Sequence, residues 1–331
     1  MYSIFRYLSG FFSAEGVHRI TLIMLKYAPK FCFKTPLEKP VQVMGLNFKH
    51  PISLAAGFDK DGRYLNALAK LGFASIELGT VTPRAQPGNP KPRIFRVPHL
   101  HALINRMGFN NAGVDALVSH IKNTTFEGVL GVSIGPNKNT PPDEVWLDYE
   151  YCLKQVYLYA DYIAINISSP NTPGLRALHH KEAFSNLIRT LVNTRNELSE
   201  AHMRYVPIVV KVSPDESDEA IQGMVKVLVS AGIDGMILTN TTLSRTGLRG
   251  SRFAKELGGM SGKPLAARAI QCLKIAKKAA GDKLVLIASG GVDSPDEAAA
   301  RIEAGASFVQ VYTGLVYTGP SLIRRMVKAC I

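Results

Sequence analysis

The stretch Ile208-Val209-Val210-Lys211-Val212-Ser213-Pro214 is apolar at nearly every position, carries one lysine, and stops at a serine and a proline. A helical run follows over Glu216–Ala231. A second apolar run, Gly235-Met236-Ile237-Leu238-Thr239, then ends in Asn240-Thr241-Thr242. Strand, helix and strand at this spacing imply parallel neighbours joined by a crossover. A strand that is apolar on successive residues, not alternate ones, is buried on both faces. The same unit recurs on either side. Further strands are expected at Ile52–Ala56, Ser75–Gly79, Val129–Ile134, Tyr162–Ile167, Leu284–Ser289 and Phe308–Val311, with helices at Arg63–Leu71, Lys181–Glu200, Leu265–Ala280 and Pro295–Ala304. Eight such units predict an α/β fold of the (β/α)8 TIM-barrel type. A doubly wound open sheet is the alternative, weakened because no G-x-G-x-x-G follows the first strand.

In such barrels function sits at the C-terminal ends of the strands. Here those ends read AAGFDK (55–60), LGTVTP (78–83), SIGPNK (133–138), NISSPN (166–171), KVSP (211–214), TNTT (239–242), SGG (289–291) and YTG (312–314). Turns favour Gly, Asn and Ser in any case, but eight polar tails on one face suit a large polar ligand. The Gly290-Gly291 and Thr313-Gly314 tails occupy the places where these barrels often bind phosphate. Lys211 lies inside an apolar run, which is costly unless it meets an anion or its pKa falls. It suits a Schiff base, a charge beside an electron-rich cofactor ring, or a structural ion pair. Lys60 raises the same question, although Asp59 and Asp61 flank it. The densest tail is Asn166-Ile-Ser-Ser-Pro-Asn171-Thr-Pro-Gly-Leu-Arg176. Asn side chains offer the paired donor and acceptor that a planar heterocycle needs, and a serine such as Ser169 can abstract a proton in dry surroundings. A capped turn is the plain alternative.

The chain has 331 residues, of which 46% are hydrophobic and 20% charged, an ordinary globular composition. Cys32, Cys152, Cys272 and Cys330 are scattered without a CxxC pair, so neither a disulfide framework nor a structural zinc site is expected. No metal-ligand constellation, P-loop or G-x-S-x-G elbow is present; His99, His101, His179 and His180 read as surface histidines. The net charge of +13 suits nucleic acid, an anionic membrane or small anions. Seven Lys/Arg against two Asp/Glu place +5 of it in residues 1–50. There Ile4, Leu8, Phe11 and Phe12, then Val17, Ile20, Met24 and Tyr27, recur at helical spacing, with Ser13 as an N-cap. Arg6, Glu15, Arg19 and Lys26 interrupt every run long enough to cross a membrane. The arm reads either as a helical hairpin covering the barrel or as an amphipathic arm on an anionic membrane surface.

The stretches GLNFKHPISLAAGFDKDG (45–62), GTVTPRAQPGNPKPR (79–93), INRMGFNNAG (104–113) and INISSPNTPGLR (165–176) closely resemble the dihydroorotate dehydrogenase family, in its class 2, membrane-associated, quinone-linked form. The resemblance covers about residues 1 to 325. It implies an FMN barrel that oxidises (S)-dihydroorotate to orotate in pyrimidine biosynthesis, with quinone as acceptor. By that resemblance Ser169 is the base that removes the C5 proton while the C6 hydride passes to flavin N5, and Thr172 helps relay the proton. Serine at this position, where class 1 enzymes carry cysteine, supports class 2. Lys60, Asn105, Arg106, Met107, Gly108, Phe109, Asn166, Asn171, Asn240 and Thr241 would hold the substrate. Ala56, Gly57, Lys60, Thr80, Ser133, Asn166, Lys211, Thr239, Gly262, Gly291, Tyr312 and Thr313 would hold FMN. Lys211 would then stand by the flavin N1–C2 edge, which demotes the Schiff base. Ser133 departs from the family's usual Asn. His18 and Arg96 match positions lining a quinone funnel.

The expected organisation is an N-terminal helical arm over residues 1–40 and an FMN-binding barrel over 41–331. Its expected place is peripheral, on the cytoplasmic face of the inner cell membrane, with no nucleic-acid partner and no metal. The rival reading is a flavin reductase of the tRNA-dihydrouridine-synthase kind, which the charge would suit; no C-terminal helical RNA-binding segment follows the barrel. A lyase using Lys211 is a third.

Overall fold

The computed structural model describes Arg6, residues 10–168 and residues 181–330. The helix α1 (Ala14–Tyr27) starts where Ser13 accepts a hydrogen bond from the Gly16 amide, and a single 3-10 turn (Lys30–Cys32) follows. The strands β1 (Val41–Val43) and β2 (Leu46–Phe48) form a small antiparallel hairpin. Eight strands then close a parallel barrel: β3 (Ile52–Leu54), β4 (Ser75–Val81), β7 (Val129–Ile134), β8 (Tyr162–Asn166), β9 (Ile208–Val212), β10 (Gly235–Leu238), β12 (Val285–Ser289) and β13 (Phe308–Val311), with β13 pairing β3. All eight correspond to the strands expected from the sequence, three with the same ends and five with an end shifted by one or two residues.

The helices that alternate with them are α2 (Leu65–Ala69), α3 (Val114–Ile121), α4 (Val145–Val156), α5 (Lys181–His202), α6 (Asp218–Ala231), α7 (Ala266–Ala280), α8 (Pro295–Glu303), α9 (Thr313–Thr318) and α10 (Ser321–Ala329). Their ends follow local chemistry. Ser217 caps α6 through the Ala220 amide, and Gly232 closes it in the left-handed region that favours glycine. Ser294 caps α8 through the Glu297 amide, with Pro295 at the first helical position.

Two apolar layers hold the barrel together. The outward residues of the strands, Leu54, Ile76, Val132, Ile163, Val210 and Leu286 among them, pack under the helices. The inward residues Val129, Tyr162, Ala164, Val209, Ile237, Ile287 and Phe308 form a second core, closed by Val43 and Phe48 of the hairpin. The Phe48 and Phe308 rings lie 4.7 Å apart there. The hairpin therefore plugs one end of the barrel and leaves the other for ligands. At that other end β5 (Ile94–Val97), β6 (Ala102–Asn105) and β11 (Gly259–Gly262) form a three-stranded antiparallel sheet inserted after β4 and β10. Neither hairpin nor sheet was expected, because strands of three or four residues carry too little periodicity to be read.

Candidate active site

A cavity of about 870 Å³ opens at the C-terminal ends of the barrel strands, bounded by strand tails, the inserted sheet and α1. That volume is of the size that encloses a cofactor or drug-sized ligand. A connected set of amides and hydroxyls forms part of its wall. Asn166 donates to the Thr80 hydroxyl at 2.8 Å, and Asn240 donates to Asn166 Oδ1 at 3.2 Å and to Ser168 Oγ at 3.1 Å. Ser168 in turn donates to the Lys211 carbonyl at 2.7 Å. Its hydroxyl proton is thereby committed to the backbone.

Lys211 is 8% exposed, lines the cavity, and has Glu77 Oε1 at 3.8 Å. Lys60 reaches the cavity from the tail of β3 and donates to Asn110 Oδ1 at 2.6 Å. Burial, with the Arg93 guanidinium adding to it, pulls its amine down to about 7. A site that strips a lysine of water in this way favours an anion beside it. Burial pushes the Tyr312 phenol up to about 12, so it stays neutral on the wall.

Ala56, Gly57, Thr80, Asn166, Lys211, Thr239, Gly262, Gly291, Tyr312 and Thr313 all line this one cavity. So do Lys60, Asn105, Met107, Gly108, Phe109, Asn240 and Thr241. Three of the expected residues lie off the wall. Ser133 is fully buried behind Thr80, 2.9 Å from its hydroxyl, and can act only through it. Arg106 is drawn away to Glu256 at 2.6 Å and stacks its guanidinium over Phe95. Arg96 binds the carbonyl of Phe12. Ser169, Asn171 and Thr172 lie outside the described residues, as do His179 and His180. His101 stacks on Tyr317 with its ring centroid 5.1 Å away, and His99 is exposed. Among the described residues no group of His, Cys, Asp and Glu could hold a metal.

The fit to a flavin nucleotide rests on the donor set. Gly290 and Gly291 both adopt positive φ, and a side chain at Gly291 would run into the Ala266 backbone. The turn after β12 is thus bare backbone facing the cavity, beside the Thr313 hydroxyl, which suits a phosphate. Lys211, and the partnerless Oε1 of Gln310 on the same wall, suit the polar edge of a ring system.

The arm packs along one side of the cavity. Glu15 accepts two bonds from Arg93, at 2.7 and 3.1 Å, and Leu22 and Leu25 are buried. His18 Nε2 lies 2.7 Å from the Phe58 carbonyl, which can only accept, so Nε2 carries the proton. Burial pulls this imidazole below its ordinary range, against the smaller effect of that carbonyl. At the other end of α1, Lys70 Nζ donates to the carbonyls of Leu25, Lys26 and Ala28 at 3.1, 2.9 and 2.8 Å. Lys70→Met removes this brace and is expected to loosen α1 by about 1–3 kcal/mol. The check is faster trypsin cleavage after Lys26 with the barrel's thermal transition unchanged. Glu15, Lys70, Arg93 and Asn110 were not anticipated, since each is defined by a partner far away in sequence.

The sequence model of the dihydroorotate dehydrogenase family matches residues 39–330. The chain belongs to that family. A dihydroorotate dehydrogenase (quinone) of Legionella pneumophila is 49% identical over 328 residues, 99% of this chain and 98% of the relative. One from Acinetobacter baylyi is 48% identical over 331 residues, 99% of each. A dihydroorotate dehydrogenase of Eimeria tenella crystallised with ferulenol superposes with a TM-score of 0.88 at 36% identity, covering 95% of this chain and 90% of that one. The dihydroorotate dehydrogenase match begins near β1, so α1 lies ahead of it.

Proposed function

We propose that this chain oxidises (S)-dihydroorotate to orotate and passes the electrons to a quinone, using one FMN per chain, in pyrimidine biosynthesis. The observation that carries it is the single cavity into which Lys60, Asn105, Asn166, Lys211 and Asn240 converge beside α1, in a chain nearly half identical to quinone-linked relatives. FMN, when bound, supplies an acceptor for the hydride and a donor for the quinone. The turns at Gly291 and Thr313 would hold its phosphate, and Thr80, Asn166 and Lys211 its ring. Asn105, Asn166 and Asn240 would orient the substrate ring. Lys60 would bind the substrate carboxylate. Ser169 would take the C5 proton, with Thr172 as relay. The purified protein is expected to be yellow and to form orotate from dihydroorotate with a short-chain ubiquinone analogue. A flavin-free protein, or one that forms no orotate, overturns the reading.

The Lys60 assignment sets a pH dependence. Its amine is lowered to about 7, so the ammonium dominates below that pH and the neutral amine above it. An anion prefers the ammonium and raises its pKa on binding. Orotate affinity for the holoenzyme is therefore expected to be level below about pH 7 and to weaken about tenfold per unit above it, with proton uptake on binding. Calorimetry in buffers of different ionisation enthalpy checks this, and Lys60→Met should abolish both the slope and the uptake.

The arm, residues 1–40, is assigned to quinone entry and to an anionic membrane surface on the cytoplasmic side, with His18 at the funnel. Its support is two-sidedness. Leu22 and Leu25 face the barrel, while Ile20, Met24, Tyr27 and Phe31 are 53%, 56%, 77% and 87% exposed. Among the described residues no helix is long and apolar enough to cross a membrane. Co-sedimentation with anionic vesicles, lost on replacing Met24, Tyr27 and Phe31 with Ser, tests the membrane assignment.

A further inference from the structure

The segment that joins β4 to β5 contains Pro83, Pro87, Pro90 and Pro92. Proline has no N–H to give to a ladder, so this stretch of backbone must be held in another way. The Arg93 side chain, 7% exposed, does the holding. Its four hydrogen bonds divide between two sides. Nη1 donates to the carbonyls of Pro87 and Asn89, at 2.6 and 3.0 Å. Nε and Nη2 donate to the two carboxylate oxygens of Glu15 on α1, at 3.1 and 2.7 Å, the bidentate form of the contact. Lys91 also lies 3.5 Å from Glu15, but it is 70% exposed and adds little.

The first side carries part of the cavity wall. Asn89 donates from its backbone N–H to the Met107 carbonyl and from Nδ2 to the Arg106 carbonyl, both at 3.0 Å. Gln86 Nε2 donates to the carbonyls of Gly108 and Phe109, at 3.2 and 3.1 Å. The Arg106 amide returns a bond to the Arg93 carbonyl at 2.9 Å. Residues 105–110 therefore rest on residues 86–93. Asn105, Met107, Gly108 and Phe109 line the cavity, and Asn110 accepts from Lys60. The second side carries the arm, in which Glu15 lies one turn before His18. Arg93 reaches the cavity too, but its donors are spent on Glu15 and the loop, so it acts on a ligand through what it holds.

We propose that Arg93 is a positioning residue shared by the two half-reactions: one edge of its guanidinium fixes the loop under the dihydroorotate wall, and the other fixes the arm that admits quinone. This rests on the dihydroorotate and quinone reading above. Glu15 serves the arm alone, because the loop carbonyls bind a different nitrogen of the same arginine.

The test measures two affinities of the holoenzyme: orotate by calorimetry, and a short-chain ubiquinone analogue by its KM in flavin reoxidation. Arg93→Met is expected to weaken both by at least about tenfold, the scale of a hydrogen bond to a charged group. FMN content, and the rate of flavin reduction at saturating dihydroorotate, should stay within about twofold, as for a loss of binding without a loss of chemistry. Glu15→Ala is expected to raise the quinone KM and leave orotate affinity unchanged. Adding Glu15→Ala to Arg93→Met should not raise the quinone KM further, since both remove one contact. Wild-type orotate affinity in Arg93→Met, a matching loss of orotate affinity in Glu15→Ala, or additive quinone effects in the double variant overturns the proposal. Arg93→Lys keeps the charge but not the planar fork. It carries the same expectations and the same overturning results should Arg93→Met fail to fold. Failure of the underlying reading is distinguishable, since dihydroorotate would then not bleach the wild-type flavin.

Discussion

Ser169→Ala is expected to slow flavin reduction by dihydroorotate by about 10²–10⁴-fold, the usual contribution of a general base. The engagement of the neighbouring described groups supports the role proposed for this serine. Asn166 is occupied with Thr80, and Ser168 donates its only proton to the Lys211 carbonyl while accepting from Asn240. Neither is placed to receive a proton from a substrate. The next hydroxyl along the chain is that of Ser169, and Lys60, the proposed partner of the substrate's carboxylate, lines the cavity that it would serve. Stopped-flow bleaching of the flavin under anaerobic conditions measures the step. Orotate affinity should change little, because the loss is in a proton transfer and not in the anchoring of the carboxylate. Ser168→Ala is the control: it removes a brace under Lys211 and should weaken FMN retention more than it slows reduction. Wild-type bleaching in Ser169→Ala would remove this serine from the mechanism.

Deleting residues 1–30 is expected to depress quinone-driven turnover by on the order of a hundredfold or more, the scale of effect seen when a reacting partner is no longer positioned. Flavin reduction by dihydroorotate should stay within about a factor of two, since the truncation leaves the polar cavity wall in place. The barrel has reason to survive the cut. Arg93 loses Glu15 but keeps the carbonyls of Pro87 and Asn89, at 2.6 and 3.0 Å. Of α1 only Leu22 and Leu25 are buried, a modest apolar surface to expose. His18, however, goes with the arm, and with it one side of the cavity. Separate measurement of the two half-reactions distinguishes this account from general damage. Equal losses in both would refute it.

The barrel was readable because its strands are continuous apolar runs ending in Gly, Asn, Ser or Lys, and each run such as Ile208–Val212 is deeply buried in the structure. The cavity-facing tails were readable together and not singly: one polar tail is an ordinary turn, but eight at the same end of one barrel point to a ligand. What could not be read depends on distance in sequence. Arg106 was expected at the substrate through the family resemblance of residues 104–113, yet Glu256, 150 positions later, takes its guanidinium. Glu77 is one charge in an apolar strand, and only the fold, through β8, β9 and β13, brings Tyr162, Lys211 and Gln310 around it. Ser133 shows the opposite limit. The strand placed it correctly at a tail, but its short side chain stops at Thr80 and never reaches the cavity.

The most direct test is an anaerobic titration of the purified holoenzyme. Adding dihydroorotate should bleach the flavin absorbance, with one orotate formed per flavin. A quinone analogue should then restore the absorbance rapidly, while fumarate should not. A flavin that dihydroorotate leaves oxidised, or that fumarate reoxidises as fast as quinone does, would contradict the account.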